Sequence, residues 1–261
     1  MARCHRGRGV RPVTRVVPCL DIRDGRIVKG VKFQNLTDMG DPATRAELYQ
    51  DQGADEIVLL DVSATPEGRA HSLATVRRVR DRLSIPLTVG GGVRTGDDAA
   101  RLLDAGADKV GINTAAVARP GLINEMADRF GSQCTVLAID AARNDAGWSV
   151  VVRSGTESTP LGAAAWAATA TESGAGEILL TSWDRDGTNL GYDLELVSAV
   201  SSRVTVPVIA SGGAADSSDL IDGVNAGASA VLVASMLHTN RTTVDRIKTE
   251  MLEGGIEVRP C

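Results

Sequence analysis

The sequence predicts an α/β protein: a (βα)8 TIM barrel built from two similar half-barrels. Three observations lead to this fold class. The chain has 261 residues, close to the roughly 250 that are typical of such barrels. Eight short β-branched runs alternate with longer segments of helical periodicity, and this alternation produces a parallel sheet. The second half of the chain also repeats the first.

Charge and cysteine content exclude several classes of function. The chain has 28 basic and 33 acidic residues, a net charge of −5 that offers no basic footprint for nucleic acid. No apolar run approaches the roughly 18 residues of a membrane span. The four cysteines and three histidines lack disulfide or metal-ligand spacing. We therefore expect a cytoplasmic protein with reduced thiols, no metal or cofactor, and no nucleic-acid or membrane partner.

The eight predicted strands come from the β-branched runs in chain order. They are Val16–Asp21, Glu56–Asp61, Pro86–Gly90, Lys109–Asn113, Thr135–Asp140, Glu177–Ser182, Val206–Ser211 and Ala230–Ser235. Segments with apolar residues three and four positions apart predict helices between them, such as Ala43–Gln52, Ser72–Arg82, Gly96–Ala105, Pro120–Phe130 and Ser217–Ala226. Glycine commonly ends a helix, and Gly53, Gly106, Gly174 and Gly227 mark such helix ends along the chain.

The chain repeats itself at an offset of 121 residues, the difference between positions 53 and 174. Gly53–Leu59 aligns with Gly174–Leu180, and Gly91-Gly92 aligns with Gly212-Gly213 at the same offset. A single ungapped offset over long segments predicts a duplicated half-barrel, in which strands 1–4 correspond to strands 5–8.

We predict a single barrel domain over residues 15–261, preceded by a disordered basic tail over residues 1–14. The tail lacks the apolar stretch of a secretory signal. The segment Arg143–Ser158 is the irregular part of the domain. Its Asn144–Gly147 turn signal, followed by Trp148–Val152, predicts a hairpin after strand 5. Such an insertion either covers the mouth of the barrel or is simple decoration.

Two aspartates end corresponding strands of the two halves. Strand 1 ends in Asp21 and strand 5 ends in Asp140, and active sites of this fold lie at the carboxyl ends of the strands. Two carboxylates in one site can have their pKa values pushed apart, so that one gives a proton while the other takes one. We predict an acid–base pair; the alternative is that both cap loop amides or form structural ion pairs.

Glycine-rich loops predict two phosphate sites. Glycine lets the backbone approach an anion with its N–H groups, and helix N-termini add their positive dipole ends. The first site comprises Gly91, Gly92, Asn113 and Thr114, and the second comprises Ser211, Gly212, Gly213, Ala234 and Ser235. One such loop alone could be a tight turn. Two symmetric loops predict a substrate with a phosphate at each end.

Further polar residues follow strands 2 and 6. Asp61 ends strand 2, and Thr181, Asp184 and Asp186 lie at or after the end of strand 6. We expect these residues to face the mouth, with Thr181 and Asp186 among those that contact substrate. Several carboxylates together are compatible with a divalent metal, but the absence of histidine at ligand spacing argues against one.

The residues above resemble the HisF family, the cyclase subunits of imidazole glycerol phosphate synthase. The likeness runs from Arg15 to about Arg259 and is carried by Cys19–Asp21, Thr88–Gly92, Ile112–Ala116, Phe130–Gln133, Asp184–Thr188 and Ala210–Gly213. It implies that Asp21 and Asp140 are the general acid–base pair and that Lys29, after strand 1, holds the anionic substrate. The implied reaction joins ammonia to an open-chain bis-phosphorylated ribulosyl aminoimidazole carboxamide. Its products are imidazole glycerol phosphate and aminoimidazole carboxamide ribotide, in histidine biosynthesis.

The resemblance also implies a protein partner that supplies ammonia. A glutaminase needs a cysteine activated by a histidine, and no pair of a histidine and an acid accompanies Cys19 or Cys134 in the sequence. A separate glutaminase subunit would dock at the N-terminal face of the barrel and deliver ammonia along its axis. Arg15, Glu56, Lys109 and Glu177 start strands 1, 2, 4 and 6, where they would form the salt-bridge ring of the family's ammonia gate. A purely stabilising ring is the alternative.

Three departures from the family pattern keep other functions open. Gly111 stands where the family often has serine, Trp183 replaces a smaller apolar residue, and Thr65–Glu67 is unusual after strand 2. They leave room for a paralogue with a related phosphorylated substrate. The remaining alternatives are the preceding sugar isomerase of the pathway, which is also a duplicated half-barrel, and a non-catalytic scaffold for a glutaminase.

Overall fold

The structure is a computed structural model that describes residues 13–31, 34–68 and 70–261. Eight parallel strands close into a barrel, as predicted, with helices packed around them. The barrel strands are β1 (Arg15–Arg23), β4 (Ile57–Asp61), β5 (Leu87–Gly90), β6 (Lys109–Ile112), β7 (Thr135–Asn144), β10 (Glu177–Ser182), β11 (Val208–Ser211) and β12 (Ala230–Val233). Each strand pairs with the next in this order, and the pairing of β12 with β1 closes the ring.

The helices follow the strands and start at side chains suited to capping. They are α1 (Pro42–Asp51), α2 (Leu73–Arg80), α3 (Gly96–Asp104), α4 (Thr114–Ala118), α5 (Gly121–Phe130), α6 (Ala163–Glu172), α7 (Leu194–Ser201), α8 (Ser217–Asn225), α9 (Ser235–His238) and α10 (Val244–Glu253), with a 3₁₀ turn at Ser132–Cys134. Asp41, Ser72 and Thr95 accept backbone N–H groups at the starts of α1, α2 and α3. In the part of the chain that the structure describes, no helix has the length and apolar character needed to cross a membrane.

Two antiparallel arms extend the sheet, one from the first strand of each half. The second arm, β8 (Gly147–Val152) with β9 (Glu157–Gly162), is the hairpin predicted after strand 5. The first arm, β2 (Arg26–Val31) with β3 (Gln34–Gly40), follows β1 and was not predicted. The turn that joins β1 to β2 is made by Asp24 and Gly25, which have positive φ angles of 51° and 73°. An Asp-Gly pair between two apolar runs favours such a hairpin.

The elements of the two halves correspond at the offset found in the sequence. Strand β5 starts at Leu87 and β11 at Val208, which are 121 positions apart, and each has four residues. The same spacing relates the starts of α3 and α8, at Gly96 and Ser217. It also relates the first residues of β2 and β8, so the duplication includes the arms.

The core has two layers because successive strand residues point to opposite faces. One set of buried side chains lies inside the barrel and comprises Val17, Cys19, Val58, Val136, Leu179, Ile209, Ala230 and Leu232. A larger set, including Val16, Leu20 and Ile57, packs between the strands and the helices. The inner layer fills the lower barrel and leaves space above it, at the carboxyl ends of the strands.

The predicted tail, residues 1–14, lies outside the described residues up to position 12. Its last residue departs from the prediction. Thr14 is buried, forms a bridge to Val258, and donates its N–H to the carbonyl of Glu257 at 2.8 Å. Paired backbone therefore begins at least one residue before Arg15, because the C-terminal segment returns beneath the barrel to meet it.

Candidate active site

A cavity of about 580 Å³ opens at the carboxyl ends of the barrel strands. It collects almost all of the residues predicted for the mouth. The predicted residues that line it are Asp21, Asp61, Gly91, Gly92, Asn113, Thr114, Asp140, Thr181, Asp186, Ser211, Gly212, Gly213, Ala234 and Ser235. Lys29 lies in β2, and its side chain falls outside the part of the chain that the structure describes.

The two aspartates occupy equivalent positions in the barrel. Asp21 of β1 is in register with Leu60 of β4. Asp140 of β7 is in register with Thr181 of β10. Leu60 and Thr181 are themselves 121 positions apart and thus equivalent in the repeat. The half-barrel symmetry therefore relates the two carboxylates across the cavity.

Asp140 is prepared to hold a proton at neutral pH. Burial, together with the negative charges of Asp186 and Asp21, raises the pKa of its carboxyl to about 7. Hydrogen bonds from Asn113 and Thr181 act in the opposite direction. Asn113 Nδ2 donates to Asp140 Oδ2 at 3.0 Å, which orients the carboxyl group. Asp140 faces the cavity yet lies deep in the barrel, where charge is costly.

Cys19 is a site residue that the sequence analysis missed. Its buried thiol donates to Asp21 Oδ1 at 3.2 Å, and the residue lines the cavity. The signal was present in the sequence, because residues two positions apart on a strand point to the same face. The thiol and the Asn113 amide thus each donate a hydrogen bond to one aspartate of the pair.

The first glycine loop lies at one end of the cavity, which we call the first end. A Cβ at Gly91, whose φ is 93°, would collide with the carbonyl oxygen of Asp61. The Gly92 N–H donates to Thr65 Oγ1 at 3.2 Å. Thr65, one of the departures from the family pattern, thus contacts the loop predicted to bind phosphate. Thr114 lines the same end.

The second glycine loop lies at the opposite end, which we call the second end. A Cβ at Gly213, whose φ is 107°, would collide with the carbonyl oxygen of Gly191. The two backbones are also joined by the Gly191 N–H, which donates to the Gly213 carbonyl at 2.9 Å. Ser211 and Ser235 add hydroxyl groups to this end of the cavity.

The second arm covers the first end of the cavity. The backbone N–H of Arg153, between β8 and β9, donates to Thr114 Oγ1 at 3.0 Å. Ser154 Oγ donates to the carbonyl of Val62 at 3.2 Å, in the loop after β4. Gly155 lies so close to the Trp183 ring that a Cβ there would collide with it. Of the two alternatives for this hairpin, the geometry favours a cover over decoration.

Two of the predicted mouth carboxylates hold loops in place. Asp61 Oδ1 accepts from the backbone N–H groups of Ser63 and Ala64, at 3.2 and 3.0 Å, and shapes the turn after β4. Asp184 Oδ2 accepts from the backbone N–H of Arg143 at 2.7 Å and does not line the cavity. Asp61 and Asp186 both line the cavity, and Asp186 also lies near Asp140. Within the described ranges, no cluster of His, Cys, Asp and Glu could hold a metal ion.

Four charged side chains form a closed ring at the other end of the barrel. Lys109 Nζ lies 2.8 Å from Glu56 Oε2 and 2.8 Å from Glu177 Oε2. Arg15 pairs with the same two glutamates. Thr88 Oγ1 donates to the remaining oxygen of Glu56 at 2.5 Å. The four residues predicted for the barrel floor are therefore brought together with alternating charge.

Comparison with known proteins agrees with this architecture. The family model for histidine biosynthesis proteins matches residues 15–243. The chain is 52% identical to the imidazole glycerol phosphate synthase subunit HisF of Leifsonia xyli over 249 residues, which cover 94% of this chain and 98% of that protein. The HisF subunits of Streptomyces coelicolor and Mycobacteroides abscessus are 52% and 51% identical, with the same coverage. The chain belongs to the HisF family. It is a cyclase subunit of imidazole glycerol phosphate synthase and an enzyme of histidine biosynthesis.

Membership of the HisF family decides between the predicted alternatives. The relatives named above are cyclase subunits, so they favour the cyclase over the pathway's isomerase and over a non-catalytic scaffold. Two departures from the family pattern, Thr65 and Trp183, contact the first glycine loop and the tip of the second arm. Gly111 also lines the cavity.

Proposed function

We propose that this HisF protein uses ammonia to convert the bis-phosphorylated ribulosyl aminoimidazole carboxamide to imidazole glycerol phosphate and aminoimidazole carboxamide ribotide. One observation carries the proposal: a single cavity holds Asp21, Asp140 and both glycine loops. A substrate with a phosphate at each end would span the cavity and pass between the two carboxyl groups. Family membership supplies the identity of that substrate, and the cavity is consistent with it.

Asp140 and Asp21 act in this proposal as the proton donor and the proton acceptor. A carboxyl with a pKa of about 7 keeps its proton in a large fraction of molecules at neutral pH and can release it during the reaction. Asp140 therefore supplies a proton to the nitrogen that leaves with the aminoimidazole carboxamide ribotide. Asp21, whose Oδ1 accepts from the Cys19 thiol, removes a proton from the incoming ammonia or from the sugar carbon.

The phosphates bind at the two ends of the cavity. Backbone N–H groups of a glycine loop donate to an anion without steric hindrance from a side chain. At the first end, Gly91, Gly92, Asn113 and Thr114 surround one phosphate. Binding at the second end involves Ser211, Gly212, Gly213, Ala234 and Ser235. Thr181 and Asp186 position the middle of the substrate, and Lys29 of the first arm completes its binding.

A glutaminase subunit is the proposed source of ammonia. The substrate cavity lies at the carboxyl ends of the strands and the ring of Arg15, Glu56, Lys109 and Glu177 lies at their amino ends. Ammonia made by a partner on that N-terminal face would pass the ring and travel along the barrel axis. Because the ring is closed by ion pairs, one pair has to part transiently for each molecule that enters.

Ammonium-dependent turnover tests the proposal directly. The purified chain, given the bis-phosphorylated substrate and a high concentration of an ammonium salt, should consume substrate, as followed by its absorbance. Glutamine in place of ammonium should give no turnover until a HisF-partner glutaminase is added. Failure of ammonium to support turnover would reject the proposed reaction. Turnover with glutamine by the isolated chain would reject the need for a partner.

We propose that the reaction takes place in the cytoplasm. The spacing of the cysteines supports this location, because it is not that of a disulfide framework.

A further inference from the structure

The two ends of the cavity differ in positive charge. Among the described residues that line it, the cations are Arg94, Arg119 and Arg153. All three belong to the first end: Arg94 follows Gly91-Gly92-Val93, Arg119 directly follows α4, and Arg153 contacts Thr114. This is unexpected in a duplicated barrel, because symmetric ancestry by itself would give the two ends equal charge.

The nearest described cations of the second half are directed elsewhere. Arg185 lies beside Gly213, but its Nη1 donates to the Leu190 carbonyl at 2.9 Å. Arg241 Nη2 donates to the Ala215 carbonyl at 3.3 Å. Neither residue lines the cavity. Binding at the second end is therefore left to backbone N–H groups and hydroxyls in the described part of the chain.

Arg153 is the cation best placed to move onto a ligand. Its backbone is fixed over the first end by the hydrogen bond to Thr114, while its side chain is 65% exposed. Arg153 Nε pairs with Glu157 Oε2 at 3.1 Å, and the Glu157 side chain is 59% exposed. An exposed ion pair of this kind contributes little, so a dianionic phosphate can replace it.

Arg94 faces the same end from the other side of the glycine loop. Its Nη1 donates to the Gly68 carbonyl at 3.0 Å, and Gly68 also lines the cavity. No carboxylate among the described residues pairs with the Arg94 guanidinium. Arg119 is less available because its Nη1 is 2.9 Å from Glu125 Oε2.

We propose that the first end is the anchoring end of the cavity and that Arg153, carried there by the second arm, is a phosphate-binding residue. Arg153 releases Glu157 and binds the phosphate held by Gly91, Gly92 and Thr114. The second end binds its phosphate more weakly. This inference rests on the proposed bis-phosphorylated substrate. It adds two things that the glycine loops alone do not provide: a difference in affinity between the two phosphate sites, and a residue that determines specificity.

Inorganic phosphate is the probe that tests the inequality of the two ends. In the isotope-labelled full chain, the amide resonances of Gly91 and Gly92 should titrate at lower phosphate concentration than those of Gly212 and Gly213. Arg153→Gln should weaken the first end by about tenfold, the usual scale for losing a charged hydrogen bond, and leave the second end unchanged. In steady-state assays the same variant should raise KM for the substrate more than it lowers kcat.

Glu157→Gln separates a ligand role from a structural one. If Arg153 binds phosphate, freeing it from Glu157 should tighten the first end about twofold, since an exposed ion pair competes only weakly. If the pair merely holds the arm in place, both variants should weaken binding. Arg246→Gln is the matched control: Arg246 Nε pairs with Glu250 Oε1 at 2.8 Å, also four residues apart and far from the cavity. The Arg246→Gln variant should leave phosphate binding unchanged at both ends.

Three results would overturn the inference. If the amide resonances of the two glycine loops respond at the same phosphate concentration, the two ends bind phosphate equally and neither is an anchoring end. A loss at both ends in Arg153→Gln, or weaker binding in Glu157→Gln, would make Arg153 a structural residue of the arm. These outcomes leave the proposed reaction standing. If neither loop responds to phosphate, the proposed phosphate sites fail together with the inference.

Discussion

Replacing Asp140 by asparagine should stabilise the folded chain while removing most of its turnover. The pKa of this carboxyl rises from 3.8 to about 7 on folding, chiefly through burial. The folded state therefore binds the proton more tightly than the unfolded state does. The buried carboxyl therefore lowers the free energy of unfolding. This loss is close to zero below pH 3.8, increases as the pH rises towards 7, and is constant above that. Asparagine is neutral throughout and does not incur this cost.

The magnitude follows from the difference between the two pKa values. One pKa unit corresponds to about 1.4 kcal/mol, so the cost above neutral pH is at most about 4 kcal/mol. Asp140 faces the water of the cavity, and halving the figure for that exposure gives about 2 kcal/mol. For a chain of this length, about 2 kcal/mol raises Tm by about 6 °C. The asparagine keeps an oxygen that can accept from Asn113 Nδ2, so this hydrogen bond survives.

Thermal unfolding at two pH values provides the measurement. The Tm of Asp140→Asn should exceed that of the unmodified chain at about pH 8, and the difference should shrink towards zero near about pH 4. Turnover should fall at least about 10²-fold with substrate binding retained. Asp145→Asn, in the exposed turn between β7 and β8, controls for the substitution itself and should show no such pH dependence. A Tm difference that does not change with pH would refute the burial argument, and near-normal turnover would remove Asp140 from the mechanism.

The remaining predictions concern the other parts of the machinery. Asp21→Asn should lower turnover at least about 10²-fold while substrate binding persists; unaltered kcat would exclude it as a proton carrier. Crystals soaked in sulfate should show one anion at Gly91-Gly92 and another at Gly212-Gly213, each bonded to backbone N–H groups. Density at only one loop, in a soak at a sulfate concentration that saturates the weaker second end, would contradict the two-phosphate site. Lys109→Met, which avoids placing a third carboxylate beside Glu56 and Glu177, should disturb glutamine-dependent turnover with the partner more than ammonium-dependent turnover. Equal loss of both activities would make Lys109 a stability residue.

The barrel itself was predictable because its signals are local. Period-two and helical patterns, together with glycine stops, placed the barrel strands within two residues of their observed starts. The repeat at 121 positions survives in the structure even at single residues, as the starts of β5 and β11 show. The mouth residues could be assigned because the fold dictates that strand carboxyl ends share one side.

What the sequence did not reveal depends on contacts between distant segments. The first arm was missed although Asp24-Gly25, between two apolar runs, signals the turn that joins β1 to β2. The cover over the first end could not be derived, since it depends on where Arg153 and Ser154 come to lie relative to β4 and α4. The pKa of Asp140 likewise reflects burial and the neighbouring charge of Asp186, which only the folded chain brings together.

The presence of an arm on each half has a consequence for how this barrel arose. Strands β2 and β8 start 121 positions apart, and both pair antiparallel with the strand before them. A shared device at a shared position is most simply inherited from the ancestral half, so the arm is older than the duplication. The aspartates Asp21 and Asp140 are only 119 positions apart, so the segment from the aspartate to the first residue of the arm is two residues longer in the second half than in the first. In the second half the inherited arm contacts the first end of the cavity, where Arg153 meets Thr114, so a structural element of the ancestral half has become part of the mouth.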